Sequence, residues 1–391
     1  MTFQKKIAVL GSTGSIGTQC LEIVEQHPEN FDVQIISGNT NFQLLAEQYE
    51  KFKPSYIIIE NEDCFNEFKS QYFNYDTKLI LGLDQLKECI SHIHLELIVN
   101  ALPSVHGLIP SAVSLESGID LALANKESML IAGVYLKNLA LKYDSKIIPV
   151  DSEISTIFQC LKGEHKGEVR KIWLTASGGP LYSRKDLNLK EIRIETILNH
   201  PSWTMGQKIS VDSATMVNKA FEVFEIHQFF DFSIENIDVI IHPESHVHSL
   251  VEFIDGNIKA LVGVPDMKVH ILHALSHPHR MDGKNADVHF KPGSWIFELF
   301  KEGDHPHFTF AMDCLMKGGN FPAAFVMCND FFVHAFLDNK IEFQNIYNLT
   351  KDSMKSVRYN ETPTFLELEA TILDMKQICE KVMLKSFSTL A

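Results

Sequence analysis

The sequence predicts an α/β protein with an N-terminal Rossmann-like parallel sheet, a central α+β region and a C-terminal helical bundle. Three observations carry this expectation. Short apolar runs alternate with helical periodicity from Lys6 to Val150, the signature of repeated βα units. The first run leads directly into a glycine turn, GSTGSIG at residues 11–17. From about residue 309 to the end the periodicity is helical throughout. At 391 residues the chain is too long for one core. The expected division is 1–150, 151–282, a turn-rich linker at 283–308, and a helical region at 309–391.

Lys6–Leu10 (KIAVL) is the first strand, and Cys20, Leu21 and Val24 set the periodicity of the helix after the turn. Gly11, Gly14 and Gly17 are spaced G-x-x-G-x-x-G, one residue longer in the first gap than the usual dinucleotide fingerprint. Such a turn lets a diphosphate approach backbone N–H groups at a helix N-terminus, although tight βα turns also occur without nucleotide. Val33–Ser37 is the second strand, and Asn39-Thr40-Asn41 then falls where an adenosine ribose is read. A plain ribose wants an acid there and a 2′-phosphate wants a base; Thr40 is neither, so the residues leave that choice open. Further strands are expected at 55–60, 79–81, 97–100, 120–124 and 146–150. The last two end in Asn125-Lys126-Glu127 and Asp151-Ser152-Glu153, at the sheet end where ligands collect. In an extended segment Asp151 and Glu153 point the same way and suit a divalent cation. The other reading is an N-cap Asp followed by a first-turn Glu.

Beyond residue 151 a helix is expected at 156–161 and strands at 171–176, 239–242, 249–253 and 258–262. Ser177-Gly178-Gly179-Pro180 is either a plain turn or a phosphate-facing one. The stretch from His200 to Glu222 opens as a loop and becomes a helix, with Asp212 and Ser213 as N-cap candidates. Val217, Ala220, Phe221 and Phe224 form its apolar stripe, while Asn218, Lys219 and Glu222 share the adjacent flank. An amide, an ammonium and a carboxylate beside a helix start suit a phosphate and a hard cation. A solvated helix face with a routine Lys–Glu pair fits the same residues. His242, His246 and His248 lie in a strand-turn context, which does not give the spacing a zinc site needs. Leu368, Ile372, Met375, Cys379 and Val382 trace one stripe of a C-terminal helix.

Composition bounds the partners. A net charge of −15 argues against nucleic acid and anionic membranes, so an anionic substrate needs a local basic pocket, which Lys126, Lys208 and Lys219 supply. Seven scattered cysteines without a C-x-x-C pair read as idle thiols of a reducing cytosol. With no signal-peptide pattern and no apolar run near the roughly 18 residues of a membrane span, a cytoplasmic protein is expected.

Taken together the motifs resemble the 1-deoxy-D-xylulose 5-phosphate reductoisomerase family. The resemblance rests on GSTGSIG at 11–17, LANKES at 123–128, PVDSE at 149–153 and SGGP at 177–180. It continues through HPSWTMGQKISVDSATMVNK at 200–219, IHPES at 241–245 and PDM at 265–267, so it spans essentially the whole chain. It implies NADPH and one divalent cation, Mg²⁺ or Mn²⁺, as cofactors, a sugar-phosphate substrate, and a homodimer. The implied reaction is a metal-assisted rearrangement of 1-deoxy-D-xylulose 5-phosphate, followed by hydride reduction to 2-C-methyl-D-erythritol 4-phosphate. Residues 151–282 become the catalytic domain, with a lid at 199–208.

Carried over by position, Asp151, Glu153 and Glu222 bind the metal. Ser177, Ser213, Asn218 and Lys219 hold the substrate phosphate, and Lys126, Ser152, Glu153, His200 and Glu222 contact the substrate. Lys126, Glu153, His200 and Trp203 form the implied catalytic set, with Trp203 and Met205 on the lid. Thr13, Gly14, Ser15 and Ile16, with Asn41, Asn125, Glu127 and Gly206, are implied to bind the nucleotide. The chain departs from the family at Asn39-Thr40-Asn41, at VNALPSVHG (99–107), at FVMCNDFFVHAF (325–336) and at His246. Competing readings fit less of the sequence. A dehydrogenase of another class does not need the 151–153 and 200–222 blocks. A non-catalytic paralogue has no need of all three carboxylates. A nucleotide-free isomerase leaves the glycine turn unexplained.

Overall fold

Ile7 and Val9 of the first strand enter one buried cluster while Ala8 and Leu10 enter another, so this strand is covered on both faces. That is why its sequence is an unbroken apolar run rather than an alternating one. The computed structural model describes residues 4–72, 77–182, 192–199, 203, 205–283 and 294–390. Two units are present: Met1–Ser128 with Val134–Ser155 and Asp266–Asp287, and Met129–Gly133 with Thr156–Pro265 and Val288–Ala391.

The first unit runs β1 (Lys5–Leu10), α1 (Ser15–Gln26), β2 (Phe31–Gly38), α2 (Phe42–Phe52), β3 (Tyr56–Ile59), α3 (Glu62–Tyr72) and β4 (Lys78–Leu81). It continues with α4 (Leu86–Ser91), β5 (Leu97–Asn100), α5 (Leu108–Glu116), β6 (Asp120–Leu123), α6 (Lys126–Lys142) and β7 (Ile147–Pro149). All seven strands pair in parallel in the order β4-β3-β2-β1-β5-β6-β7. The strand order reverses between β1 and β5, where Leu10 pairs with Asn100. In a doubly wound sheet this switch point opens a crevice at the strand C-termini. Both the glycine turn after β1 and the departing 101–107 loop after β5 lie there.

β7 leads into α7 (Ser152–Cys160), and β8 (Val169–Ala176), α8 (Ile194–Leu198), α9 (Gln207–Ala214) and α10 (Val217–Phe230) follow. Then come β9 (Ile237–Ile241), β10 (Val247–Phe253), β11 (Ile258–Val262), α11 (Met267–Ser276) and β12 (Glu298–Leu299). The second sheet is mixed, in the order β11-β10-β8-β9-β12, with β8 parallel to β9 and antiparallel to β10. Four helices close the chain: α12 (Pro306–Met316), α13 (Phe321–Leu337), α14 (Phe343–Met354) and α15 (Phe365–Leu390). Leu368, Ile372, Met375 and Cys379 are buried along α15, and the Cys379 thiol meets Cys328 of α13 at 3.3 Å. All seven cysteines are free and buried, and burial pushes the Cys20 and Cys314 thiols up to about 12, so they pack as small hydrophobes. No helix among the described residues is long and apolar enough to cross a membrane.

Three local expectations are corrected. Asp212 and Ser213 do not cap the 217–230 helix; they lie inside α9, and a left-handed Met216 (φ 62°) separates the two helices. Asp151 and Glu153 are not in an extended segment, because Ser152 already begins α7 and Glu153 occupies its first turn. The Asp151 carbonyl already accepts from the Ser155 N–H at 2.8 Å, so helical hydrogen bonding begins there. The described part of the expected linker carries structure: β12 pairs with β9, and α12 starts at Pro306, a favoured first-turn position for proline.

Ser104, in the loop after β5, adopts φ 52°, and its buried Oγ has no hydrogen-bond partner. A left-handed backbone costs an L-residue about 1–2 kcal/mol, and an unmet hydroxyl adds to that. Ser104→Gly is therefore expected to stabilise the protein by about 1 kcal/mol, read as a higher denaturant midpoint at unchanged slope.

Candidate active site

The turn after β1 is held by close backbone approach. Gly11 has φ 78°, and a Cβ there would lie 2.7 Å from the Ala101 carbonyl oxygen. A Cβ on Gly17 would lie 2.2 Å from the Gly11 oxygen. Ser12 is fully buried; its hydroxyl donates to Gln48 Oε1 at 2.7 Å, and Gln48 Nε2 returns a bond to the Ser12 carbonyl at 2.8 Å. The turn is thus built from inside, leaving Gly14 and Ser15 exposed at the start of α1. The N-cap, Gly14, makes no side-chain cap. The side chain that would ordinarily take one of the first N–H groups of α1 is missing at the N-cap, and such groups suit an anion. Thr13 is half-buried in the turn, and Ile16 packs on the core beneath it.

Asn125 follows β6 and caps α6. Its Oδ1 accepts from the Ser128 N–H at 3.0 Å, and its Nδ2 donates to the carbonyls of Leu102 and Ser104, both at 2.7 Å. Asn100 Nδ2 similarly donates to the Gly107 carbonyl at 2.8 Å. Two amides therefore tie the 101–107 loop to the sheet, and the Asn125 side chain serves the loop. Asn41 likewise caps α2, accepting from the Leu44 N–H at 3.3 Å, and is exposed beside the exposed Thr40. Lys126 and Glu127, in the first turn of α6, are buried. The Lys126 ammonium forms an ion pair with Asp151 after β7. The Ser152 hydroxyl donates to Glu153 Oε2 at 2.5 Å.

In the second unit β8 ends in Ser177-Gly178-Gly179, with φ 85° and 72° at the two glycines. A Cβ on Gly179 would lie 2.7 Å from the Ser213 carbonyl, so only glycine lets this turn close against the end of α9. The Ser177 hydroxyl accepts from the Gly179 N–H at 3.2 Å. After the Met216 break, the start of α10 carries Asn218, Lys219 and Glu222. Lys219 and Glu222 are 6% and 1% exposed, which rules out a solvated helix face. Lys219 Nζ contacts Glu222 Oε2 at 2.5 Å and donates to the Thr175 carbonyl at 2.8 Å, while Asn218 Nδ2 donates to Glu222 Oε1 at 2.5 Å. A carboxylate desolvated to this degree persists because one oxygen accepts from Asn218 and the other is ion-paired with Lys219.

Gly206 begins α9 and accepts from Ser210 at 3.1 Å. The Trp203 ring lies 5.5 Å from the ring of His248. Burial, helped by the Lys219 charge, pushes His248 down to about 3, so it is neutral at any working pH. His307 in α12 is likewise pushed down by burial, to about 4. His200 lies outside the described residues, as do Pro201, Ser202 and Thr204 of the expected lid.

These two histidines set a pH dependence. Each binds a proton in the unfolded chain below about 6.5 but not in the native protein until pH reaches about 3 or 4. The unfolded state then holds more protons, so stability falls as pH drops through this window and levels off below it. Each contributes a loss of about 2 kcal/mol between pH 7 and pH 5. Denaturant titrations at both values should show a smaller loss for His307→Gln than for the parent.

One family's models match most of the chain. Residues 7–133 match the model described as 1-deoxy-D-xylulose 5-phosphate reductoisomerase, 147–230 its C-terminal domain, and 262–378 the DXP reductoisomerase C-terminal domain. This chain belongs to the 1-deoxy-D-xylulose 5-phosphate reductoisomerase family. The reductoisomerase of Bacteroides fragilis is 36% identical over 385 residues, covering 98% of this chain and 99% of that one. That of Thermoanaerobacter pseudethanolicus is 38% identical over 387 residues, 97% and 99% of the two chains. Among solved structures, the Zymomonas mobilis reductoisomerase in complex with NADPH superposes with a TM-score of 0.86 at 30% identity, covering 97% and 99%. A DOX-P reductoisomerase in complex with NADPH, fosmidomycin and magnesium gives 0.88 at 30% identity, covering 97% and 98%.

Several residues that shape this candidate site carry no signal in the sequence. Thr175 acts through its carbonyl, which no residue type announces. The sequence offers His248 only as a metal-ligand candidate, because its burial beside Trp203 depends on strand packing. Asp212 has the residue type of a cap, whereas it is 1% exposed and its carboxylate is held by Asn329, 117 positions away. No local signal marks such a pair.

Proposed function

We propose that this chain performs its family's reaction with Asp151, Glu153 and Glu222 as the ligands of one divalent cation. The enzyme isomerises 1-deoxy-D-xylulose 5-phosphate and reduces the intermediate with NADPH to 2-C-methyl-D-erythritol 4-phosphate. The donor set fits the ion: three carboxylates offer the hard oxygen ligands that Mg²⁺ and Mn²⁺ take. Each is also oriented by a second group, Asp151 by Lys126, Glu153 by Ser152, and Glu222 by Asn218 and Lys219. The cation supplies Lewis-acid polarisation of the substrate's oxygens. NADPH supplies the hydride, and the uncapped α1 N-terminus behind Gly11, Gly14 and Gly17 suits its diphosphate, with Thr13, Ser15 and Ile16 lining the turn.

The chain's own side chains do the rest. Lys219 carries the positive charge for the substrate phosphate, with Ser213, Asn218 and Ser177 as hydrogen-bonding partners. Lys126 is a buried ammonium that stabilises oxyanion charge on the substrate beside Ser152. Trp203 and Met205, with His200, belong to the segment that excludes water once the phosphate is held. Asn125, Glu127, Asn41 and Gly206 border the nucleotide; in this role Asn125 works by holding the 101–107 loop. The single observation that carries this reading is the buried Asn218–Lys219–Glu222 set, whose desolvation has no purpose on a plain surface helix.

The family resemblance also supports a cytoplasmic homodimer, which sedimentation of the purified enzyme tests. The decisive assay follows NADPH absorbance on adding 1-deoxy-D-xylulose 5-phosphate with Mn²⁺, then with EDTA, then with NADH in place of NADPH. Metal-dependent oxidation is expected, and the NADPH/NADH ratio measures what Thr40 does. Folded protein without turnover under any metal overturns the proposal.

A further inference from the structure

The break between α9 and α10 places Ser213 at the end of one helix and Asn218 and Lys219 at the start of the next. Their spacing depends on the angle at Thr215-Met216, and Met216 holds a left-handed conformation that no glycine relieves. Thr215 bridges the break locally, its hydroxyl donating toward the Val211 carbonyl at 3.2 Å and accepting from the Val217 N–H at 3.4 Å, and contacts from outside the two helices add to this. α13 reaches both of them from one face. Asn329 Nδ2 donates to Asp212 Oδ1 at 2.8 Å, on α9. One turn earlier, Phe325 packs edge-on against Phe221 of α10, with ring centroids 6.0 Å apart.

Asp212 is a buried carboxylate with two recorded partners, Asn329 and Lys208, whose Nζ lies 2.8 Å from Asp212 Oδ2. The same ammonium stands over the Phe221 ring at 5.3 Å, so Lys208 also bridges α9 and α10. The 325–336 stretch, one of the places where the chain departs from the family, therefore supplies two contacts to the broken helix.

We propose that α13 is a clamp on the phosphate-binding break and that Asn329 is a positioning residue for substrate. The bridge from Asn329 to Asp212 sets where Ser213 stands relative to Asn218 and Lys219. This inference rests on the phosphate reading of those residues. Of the residues assigned to the nucleotide only Gly206, at the start of α9, lies in this unit, so loss of the bridge should raise the KM for the sugar phosphate far more than that for NADPH.

The test uses the full chain with Mn²⁺ and four variants: Asn329→Leu, Asn329→Asp, Asp212→Asn with Asn329→Asp together, and Ser213→Ala. Asn329→Leu is expected to raise the substrate KM at least tenfold, far more than the NADPH KM, and to weaken competitive inhibition by inorganic phosphate by a similar factor. Asn329→Asp, which sets two carboxylates face to face, should do the same or worse. The double variant restores one amide facing one carboxylate and should recover most of the lost KM and phosphate inhibition. An unchanged substrate KM in folded Asn329→Leu overturns the proposal, as does a parallel rise in both KM values. If Asn329→Leu does not fold, the double variant decides. A double variant that stays weak for substrate, or does not fold, overturns the clamp. Ser213→Ala separates the two readings: an unchanged KM and phosphate inhibition there removes the phosphate assignment itself, whereas a raised KM with indifferent Asn329 variants removes only the clamp.

Discussion

Replacing Glu222 by glutamine is expected to reduce turnover by about 10³-fold or more with either Mg²⁺ or Mn²⁺. The substitution keeps an oxygen for Asn218 Nδ2, now 2.5 Å from Glu222 Oε1, and nearly the same volume. It removes the charge that faces Lys219 Nζ across 2.5 Å in a site where both side chains are almost fully buried. Two losses follow from one atom change. The cation loses an anionic ligand, and Lys219 is left desolvated without its counter-charge, which costs about 3–5 kcal/mol where a buried pair is broken. Mn²⁺ affinity, measured by electron paramagnetic resonance of the free ion, should fall together with kcat, while NADPH affinity stays as it was. Activity within tenfold of the parent, at saturating metal, would falsify the ligand assignment.

Gly17→Ala should be the most damaging single methyl in the nucleotide-binding unit. The added Cβ would stand 2.2 Å from the Gly11 carbonyl oxygen and 2.5 Å from Ser12 Cα. Both obstacles are backbone, so no side chain can rotate out of the way. Relief requires α1 to tilt off β1 or the turn to open, and either moves the α1 N-terminus. A rise in NADPH Kd of at least about 100-fold and a destabilisation of about 3 kcal/mol are expected, read by fluorescence titration and denaturant unfolding. Gly14→Ala is the matched control. Its Cβ would meet only the Gly11 oxygen, at 3.3 Å, on an exposed position. Stability should then change by less than about 0.5 kcal/mol, with the nucleotide effect far smaller than at Gly17. Equal effects at the two glycines would mean that the turn is not built by the approach of Gly11 to α1.

The sequence by itself determined the parallel sheet, because strands buried on both faces leave continuous apolar runs such as KIAVL, and these stand apart from helical periodicity. It determined the residue sets at 11–17, 151–153 and 218–222 because each is local: its members lie within one turn or one βα junction. What it left open was decided by contacts between distant segments. The flank of α10 reads equally as a solvated face or a site until the fold buries Lys219 and Glu222 and gives Lys219 the Thr175 carbonyl. Asp212 and Ser213 have the residue types of an N-cap, yet Met216 breaks the helix after them, and α13 holds that break through Asn329 and Phe325. His248 owes its neutrality to burial in a strand start beside Trp203, not to its neighbours in sequence. The physical reason is the same throughout. Hydrogen-bond donors, periodicity and turn chemistry act over a few residues, whereas desolvation is a property of what the rest of the chain packs on top.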